Sequence, residues 1–211
     1  MKRLNPSDLR QISRQTLDHY ERRAEEFWEG TKGHDVRQNY QALLAELPQD
    51  RPLDLLDFGC GPGRDLAYFK SLGHRAVGLE GCANFCRMAR EYSGCEVWQQ
   101  DFLSLELPAG GFDGIFANAS LFHVPSQELS RVLKDLWSAL RPGGILFASN
   151  PRGSFEGWDG QRYGNFMEFE EFKPHLEAAG FEVLHHYYRP AGKRRSEQPW
   201  LAVVSRKHGG S

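Results

Sequence analysis

A glycine-rich turn between an apolar run and a helical stretch is the feature that most constrains how this chain can fold. Residues 53–58 are mostly apolar, glycines stand at alternate positions from 59 to 63, and residues 64–72 have helical character. Glycine tolerates positive backbone angles and lets a ligand or another backbone approach closely. This order predicts a strand, a tight turn and a helix.

The alternation of strands and helices continues beyond the turn. Predicted strands cover residues 53–58, 76–79, 96–99, 112–117, 145–149, 181–188 and 200–205, and predicted helices cover 64–72, 83–92, 126–140 and 168–179. Such alternation is typical of right-handed crossovers, which build a parallel sheet with helices on both faces. We therefore predict a doubly wound α/β fold. No helix separates the last two strands, so they are expected to form an antiparallel hairpin.

The segment before the first strand is polar, with apolar residues at helical spacing. Leu17, Tyr20 and Phe27 belong to this pattern, which glycines interrupt at 30–33 and Pro48 stops. Two helices are predicted, and together they form an N-terminal cap over residues 1–50. Residues 51–206 then form a single catalytic unit, and residues 207–211 form a tail.

The composition is that of an ordinary globular protein. The chain has 211 residues, of which 40% are hydrophobic and 26% are charged, and its formal net charge is -2. No stretch approaches the roughly eighteen apolar residues of a membrane span, and no apolar signal segment stands near the first residue. We therefore expect a cytoplasmic protein whose partners include neither a membrane nor a nucleic acid.

Cysteines and histidines give no metal-binding pattern. The four cysteines are Cys60, Cys82, Cys86 and Cys95, and no two of them form a Cys-x-x-Cys pair. His185 and His186 are adjacent in a predicted strand, so their side chains are expected on opposite faces. We predict reduced thiols and no bound metal.

Two details of the turn indicate which cofactor it takes. Asp57 lies two residues before the first glycine, where a carboxylate opposes a pyrophosphate but attracts an ammonium or sulfonium group. The third glycine follows the second by two residues, whereas the dinucleotide fingerprint requires three. Both details favour S-adenosylmethionine over NAD, although nicotinamide enzymes use a similar turn.

Acidic residues follow the next two predicted strands. Glu80 lies 21 residues after Gly59, at the position from which a carboxylate accepts hydrogen bonds from ribose hydroxyls. Asp101 is placed to accept from an adenine amino group, with Phe102 packed on the ring. The alternative for Asp101 is a helix N-cap, which is a preferred position for aspartate.

The order of these motifs resembles the class I, Rossmann-like methyltransferases of the small-molecule type. The motifs are Leu-Leu-Asp-Phe-Gly-Cys-Gly-Pro-Gly, Val-Gly-Leu-Glu, Gln-Asp-Phe, Phe-Asp-Gly-Ile-Phe-Ala-Asn-Ala and Leu-Arg-Pro-Gly-Gly, all within residues 53–150. The resemblance implies a seven-stranded, mostly parallel sheet with an antiparallel last strand. It also implies S-adenosylmethionine as cofactor and S-adenosylhomocysteine as product. The cofactor-binding residues that follow are Tyr20, Asp57, Gly59, Cys60, Gly61, Glu80, Gly81, Asp101, Phe102 and Asn118.

Within that site the resemblance assigns each residue a part of the cofactor. Asp57, Gly59 and Gly61 contact the methionine end, and Asn118 lies on its far side. The Asp/Asn-Pro-Pro-Tyr motif of amino-group methylation of DNA and protein glutamine is absent, since Asn118-Ala119-Ser120-Leu121 occupies its place. This absence argues against a nucleic-acid or glutamine substrate.

Residues 150–164 have the most distinctive composition in the chain, and they are the predicted acceptor site. They are rich in glycine, which suits a mobile lid. Arg152 and Arg162 are predicted to clamp a carboxylate or phosphate, and Trp158 and Tyr163 to stack on the acceptor. The alternative is a packed surface loop that the aromatic residues anchor.

The predicted catalytic residues are His123 and Tyr163. His123 is expected at the carboxyl edge of the fourth predicted strand, where either general-base catalysis or a packing role is open. Methyl transfer from a sulfonium needs a base only if the nucleophile must lose a proton. We predict transfer to an O, N or S atom of a small metabolite by in-line displacement, in a monomer or homodimer. The alternatives are a nicotinamide-dependent oxidoreductase and a protein methyltransferase.

Overall fold

The computed structural model describes residues 3–208, along which nine strands and seven α-helices are found. The strands are β1 (Asp54–Phe58), β2 (Arg75–Glu80), β3 (Glu96–Gln99), β4 (Phe112–Asn118), β5 (Leu140–Pro151), β6 (Phe155–Asp159), β7 (Arg162–Phe166), β8 (Phe181–Arg189) and β9 (Trp200–Lys207). The helices are α1 (Pro6–Arg22), α2 (Ala24–Thr31), α3 (Arg37–Leu44), α4 (Arg64–Ser71), α5 (Ala83–Ser93), α6 (Ser126–Ala139) and α7 (Phe169–Ala178).

Seven strands form one twisted sheet in the order β3-β2-β1-β4-β5-β9-β8. The pairs from β3 to β5 are parallel, whereas β9 is antiparallel to both of its neighbours. The predicted sheet with an antiparallel last strand is confirmed. Its carboxyl edge, where ligands bind in open α/β sheets, lies where β1 and β4 end.

Two buried clusters cover the two faces of the sheet. One contains α6 and α7, and the other contains α3, α4 and α5. Alternation along β1 feeds both clusters, since Leu55 belongs to the second and Leu56 to the first, and neither side chain is exposed. Helices on both faces explain why the parallel strands are apolar along most of their length.

The N-terminal segment forms three helices, which corrects the prediction of two. A capping box starts α1, because the Asn5 side chain accepts from the backbone N–H groups of Ser7 and Asp8, and Asp8 bonds back to the Asn5 N–H. A separate apolar cluster joins α1 and α2 to the start of α5. In contrast, α3 packs on the sheet through Leu43, which is fully buried. Only α1 and α2 therefore form a cap, and the domain boundary at residue 50 stays a prediction.

Residues 155–166 form an antiparallel hairpin of β6 and β7 rather than the predicted loop. A two-residue connection at Gly160 and Gln161 joins the strands, and Gly160 has a φ of +62°. The predicted tail also differs, because Lys207 belongs to β9, while residues 209–211 lie outside the described residues.

Candidate functional site

The glycine-rich turn links β1 to α4 at the carboxyl edge of the sheet. Gly59 has a φ of +78°, and a Cβ atom on it would lie 2.4 Å from the Cβ atom of Ser120. Gly63 has a φ of +94°, and a Cβ atom on it would lie 2.8 Å from the Cα atom of Ala89 in α5. Glycine is therefore required at both positions, because the turn touches the segment after β4 on one side and α5 on the other.

Glu80 ends β2 and holds the turn from the neighbouring strand. Its Oε2 atom accepts a hydrogen bond of 3.0 Å from the backbone N–H of Gly61. Its Oε1 atom accepts from the N–H groups of Gly81 and Cys82, at 2.8 and 2.9 Å. Burial raises the pKa of Glu80, and the three N–H donors oppose that rise. The carboxyl group is thus fixed in position at the base of the turn.

Asp57 carries a buried oxygen atom without a partner. Its side chain is 1% exposed, and Oδ2 accepts no hydrogen bond from any residue that the structure describes. Burial raises the pKa of Asp57 well above its usual range, the nearby Asp65 adds to the rise, and Arg64 opposes it. A buried acceptor without a donor is unfavourable, so this atom calls for a donor from a ligand or from water that the ligand orders.

A pocket, here called the turn pocket, opens beside Gly59. Helix α1 forms one wall. The predicted cofactor residues that line the pocket are Tyr20, Gly59, Gly61, Glu80, Gly81, Asp101 and Phe102. Residues up to 82 positions apart in the sequence, from Tyr20 to Phe102, are therefore brought together in one pocket.

Asp101 and Phe102 form the wall opposite α1. Asp101 accepts from the backbone N–H of Leu103 at 2.8 Å and from the hydroxyl of Ser13 in α1. Phe102 stacks on Phe58 with ring centroids 4.3 Å apart. No α-helix starts at Asp101, so the alternative of a helix N-cap is wrong. Its carboxylate instead caps a turn and lies at the pocket surface.

His123 also lines the turn pocket, in a short 3₁₀ turn after β4. Its Nδ1 atom lies 2.7 Å from the backbone carbonyl oxygen of Tyr163, so Nδ1 must donate. Nε2 then accepts from the hydroxyl of Tyr20 at 2.9 Å. Burial is the main cause that lowers the pKa of His123 to about 4. The imidazole is therefore neutral near pH 7, and its lone pair is already in use.

A second cavity of about 1,400 Å³ adjoins the turn pocket. The two spaces share Tyr20, Phe27, Gly59, Gly61 and Ala119. The second cavity is also lined by three further predicted residues, Cys60, Asn118 and Arg162, and by the basic residues Arg64 and Arg189. It extends from the turn toward β8 and β9, the side of the sheet away from Asp101.

Asn118 belongs to a buried polar chain at the edge of the second cavity. Its amide donates to Asp65 Oδ2 at 3.3 Å and accepts from the amide of Asn39 at 2.9 Å. Tyr187 donates to Asn39 at 3.0 Å, and Arg64 pairs with Asp65 at 2.7 Å. The chain joins α3, β4, α4 and β8, which fixes the strand ends that face the cavity.

Three of the predicted acceptor residues lie outside both spaces. Arg152 pairs with Glu168 at 3.0 Å and donates to two backbone carbonyls, so its side chain holds two loops together. Tyr163 is buried and donates to Glu156 at 3.0 Å. Trp158 packs edge-on against Tyr163 on the outer face of the hairpin. The structure therefore does not place these three residues at either space, and the roles predicted for them, acceptor binding for all three and catalysis for Tyr163, stay predictions.

Arg162 is the one acceptor residue of the hairpin that reaches the site. Its guanidinium lies 3.5 Å from the Tyr20 hydroxyl and 3.1 Å from Asp159 Oδ2. Cys60, in contrast, directs its thiol inward, because a Cβ atom on Gly78 would lie 2.7 Å from its Sγ atom. Cys60 lines the second cavity and does not line the turn pocket.

Several lining residues were not predicted from the sequence. In α1, Ile12, Ser13 and Thr16 extend the stripe of Leu17 and Tyr20 by one turn and face the pocket. A helical spacing of three and four residues that continues before Leu17 is the signal that identifies them. Arg189, in contrast, stands near the last predicted hairpin, where the sequence leaves a pocket wall and ordinary strand packing both open, and the geometry of β8 and β9 turns it into the second cavity.

No group of residues in the range 3–208 has the composition and geometry of a metal site. The same range contains no helix that is long and apolar enough to cross a membrane.

The fold and the order of the site residues define a Rossmann-like methyltransferase fold. Residues 56–148 match the family model described as a methyltransferase domain. The chain is 22% identical to a Burkholderia thailandensis 1,6-didemethyltoxoflavin-N1-methyltransferase solved with S-adenosylhomocysteine, with a TM-score of 0.77 over 99% of this chain and 92% of that one. At that identity the likeness concerns the fold alone.

Two curated relatives resemble the chain more closely in sequence. A trans-aconitate 2-methyltransferase from Azoarcus sp. is 37% identical over 112 residues, which are 52% of this chain and 44% of that protein. A malonyl-[acyl-carrier protein] O-methyltransferase from Pectobacterium atrosepticum is 30% identical over 158 residues, 71% of this chain and 61% of that protein. The chain thus spans about half the length of these relatives. The domain match and the shared fold support a class I S-adenosylmethionine-dependent methyltransferase.

The residues present fit S-adenosylmethionine, the cofactor of this family. The unpartnered Asp57 oxygen provides an acceptor near the turn, and Gly59 and Gly81 line the turn pocket without a side chain of their own. Glu80 and Asp101 add carboxylates on two further strands. Such oxygen acceptors are the groups that the cofactor's ammonium, hydroxyl and amino donors would bind.

Proposed function

We propose that the protein transfers a methyl group to an oxygen atom of a small acidic metabolite. The single observation that carries this proposal is the union of the turn pocket with a second cavity that contains Arg162 and Arg189. Two guanidinium groups attract an acceptor with negative charge. The two relatives are also named for acids, trans-aconitate and a malonyl group on an acyl-carrier protein.

A carboxylate acceptor agrees with the lack of a free base at His123. When bound, S-adenosylmethionine supplies a methyl group on a positively charged sulfur, which is already an activated leaving group. A carboxylate is deprotonated near pH 7 and needs no proton removed before attack. The chain's residues then act by orienting the acceptor and excluding water, which are the main sources of rate in such a displacement. Tyr20, bonded to His123 between the two spaces, forms part of that enclosure.

The experiment uses purified protein and S-adenosylmethionine with a tritiated methyl group, incubated with fractionated metabolite extracts. Label in an acidic, small-molecule fraction that mild alkali releases as volatile methanol is the expected result, because methyl esters hydrolyse under those conditions. Alkali-stable label would indicate a nitrogen, sulfur or ether acceptor, and the proposed acceptor would be wrong. Label that precipitates with protein would favour a protein methyltransferase instead.

A binding experiment separates the alternative cofactor. Isothermal titration is expected to detect S-adenosylmethionine and S-adenosylhomocysteine but not NAD. Binding of NAD without either sulfur ligand would support a nicotinamide-dependent oxidoreductase and contradict the proposal. The cytoplasmic location, the state as monomer or homodimer and the lack of a nucleic-acid partner stay predictions.

A further inference from the structure

Arg189 stands out among the charged residues of the second cavity. It ends β8, and its Nη2 atom donates to the Ser149 hydroxyl at 3.0 Å. Its Nε atom is buried and has no hydrogen-bond partner in the described part of the chain. The guanidinium lies 5.7 Å from the centroid of the Trp200 ring, which supports one side of it. The group is held in place by a neutral hydroxyl and an aromatic ring.

The other arginines of this cavity already have acidic partners. Arg64 pairs with Asp65 at 2.7 Å, and Arg162 pairs with Asp159 at 3.1 Å. Within residues 3–208, no carboxylate lies within 4.0 Å of the Arg189 guanidinium. Burial and the charge of Arg64 lower the pKa of Arg189. A partly buried guanidinium without an anion is unfavourable, so the cavity is built to receive one.

The sheet order places this anion site away from the glycine-rich turn. Ser149 lies near the end of β5, and β5 is separated from β1 by β4 alone. Two strand spacings amount to about 10 Å. Asn118, at the end of β4, lies between them. An anion on Arg189 therefore belongs to the acceptor's side of the cavity, and not to the methionine carboxylate beside the turn.

The charge balance of the proposed reaction decides which acceptor group Arg189 can hold. A carboxylate oxygen forms a bond to the methyl carbon with its lone pair, and the carbon–sulfur bond breaks with its electron pair going to sulfur. The negative carboxylate and the positive sulfonium both become neutral, and no proton moves. A guanidinium paired with the reacting oxygen would stabilise the starting state more than the transition state and slow the reaction.

We propose that Arg189 determines specificity by binding a second carboxylate of the acceptor, one that does not react and keeps its charge. This inference rests on the proposed function. The acceptor is then a di- or tricarboxylic acid, and the product is its half-ester. A guanidinium can donate two parallel hydrogen bonds to one carboxylate. The hydrogen bond to Ser149 fixes the plane in which the Arg189 guanidinium presents its donors. A monocarboxylic acid of equal size leaves the guanidinium unpaired and binds poorly.

The first test measures binding without turnover. The protein, saturated with S-adenosylhomocysteine, is melted with malonate, succinate, glutarate or trans-aconitate, and with acetate as the monocarboxylate. At least one polycarboxylate is expected to raise the Tm of wild type and of R194Q, an exposed arginine variant that controls for net charge. The same polycarboxylate is expected not to raise the Tm of R189Q, and acetate is expected not to raise the Tm of wild type. The inference is wrong if no polycarboxylate raises the wild-type Tm, or if R189Q responds as wild type does.

The second test compares kinetics and cofactor affinity in R189Q, R189K and S149A. For an acid that wild type methylates, R189Q is expected to raise KM at least tenfold, with R189K and S149A intermediate and kcat changed less. The Kd of S-adenosylhomocysteine stays within twofold of wild type. A weaker Kd for S-adenosylhomocysteine would mean that Arg189 holds the cofactor carboxylate, and an unchanged KM with a lower Tm would mean packing alone. Polycarboxylate binding that depends on Arg189, without any methylation, would refute the proposed function but support Arg189 as a carboxylate-binding residue.

Discussion

Two buried carboxyl groups at the glycine-rich turn differ in how their oxygens are satisfied. Three backbone N–H groups donate to Glu80, whereas Asp57 Oδ2 has no donor in the part of the chain that the structure describes. Glu80 therefore stabilises the turn before a ligand arrives. Asp57 leaves a buried carboxyl oxygen there without a hydrogen-bond donor, which a ligand would supply. The consequence is a trade-off between stability and cofactor affinity at one residue.

The variant D57N tests this trade-off. Because burial raises the pKa of Asp57 in the folded protein above its unfolded value, ionisation favours the unfolded chain as pH rises through that interval. D57N removes this effect, while Arg64, Asp65 and Glu80 are the same in both proteins. We expect D57N to melt at a higher temperature than wild type, with a difference that is larger at pH 8 than at pH 5. Its affinity for S-adenosylhomocysteine is expected to fall about tenfold, which is about 1.4 kcal/mol.

Melting curves in the absence of ligand and isothermal titration measure the two parts of this prediction separately. A Tm difference that shrinks with rising pH, or an unchanged cofactor affinity, would contradict it.

The hydrogen bonds of His123 lead to a prediction about the rate. With its pKa lowered to about 4, this imidazole does not change charge between pH 6 and pH 8. The variant H123Q is expected to retain kcat within about tenfold of wild type, whereas loss of a general base typically lowers rates by about 10²–10⁴. We also expect no ascending limb near pH 6.5 in the profile of kcat/KM. Such a limb in wild type that disappears in H123Q would establish His123 as a base.

How far the sequence predicts a site residue depends on where its partners lie. Gly59, Glu80 and Asp101 were predictable, because each follows a strand and the strand end fixes its place. Arg152 has the same local signature as a ligand-binding arginine, but its partners lie beyond residue 167. Spacing does not reveal such contacts. The same holds for Arg189, whose orientation depends on pairing with β9.

Elements were predicted well where one residue pattern dominates. Apolar runs and terminal glycines gave the strands of the sheet, and the helices between them followed. The hairpin of β6 and β7 was missed because its glycines resemble loop residues, and because it forms a separate two-stranded sheet in which β7 packs on α1. The break at Arg23 that separates α1 from α2 was missed because no glycine or proline marks it.

Glu156 joins the hairpin to α6 and allows a test of that contact. Its carboxylate accepts from the backbone N–H and the hydroxyl of Ser126, at 2.8 and 2.7 Å, and from Tyr163. These bonds satisfy the start of α6, where a negative charge is also favourable. E156A is expected to lower the free energy of unfolding by about 1–2 kcal/mol, the usual effect of losing a cap. D159N, in an exposed ion pair of the same hairpin, is the control, with a change below about 1 kcal/mol. Urea denaturation measures both, and equal losses would contradict a capping role.

The division between α3 and the cap leads to a second prediction about elements. Leu43 of α3 is fully buried against the sheet, whereas Leu17 of α1 lines the turn pocket. L43A is expected to lower the free energy of unfolding by about 2–5 kcal/mol, with cofactor affinity nearly unchanged. L17A is expected to affect stability less and to weaken binding of S-adenosylhomocysteine. If L43A were the milder change in stability, α3 would belong with α1 and α2 in the cap.

At the scale of the whole molecule, the turn pocket lies between the sheet and the cap of α1 and α2, which differ in how they are stabilised. The sheet is covered by two large apolar clusters, whereas α1 and α2 rest on one small cluster and on separate hydrogen bonds. One of those bonds, from Ser13 to Asp101, crosses the pocket wall directly. The cap is therefore the part most easily opened, and a ligand between cap and sheet adds contacts to both.

This arrangement predicts where and how strongly a cofactor stabilises the protein. At a free concentration of about 100 Kd, S-adenosylhomocysteine adds about 2.7 kcal/mol to the folded state, since the unfolded chain has no site for it. For a protein of this size, the Tm is then expected to rise by about 5–11 °C. Amide hydrogen exchange is expected to slow most in residues 12–27, because cap opening is the event that the ligand suppresses, and least in α6. NAD at the same concentration is expected to change neither quantity. Protection spread evenly over the sheet, without a preference for the cap, would mean that α1 and α2 open only when the whole molecule unfolds.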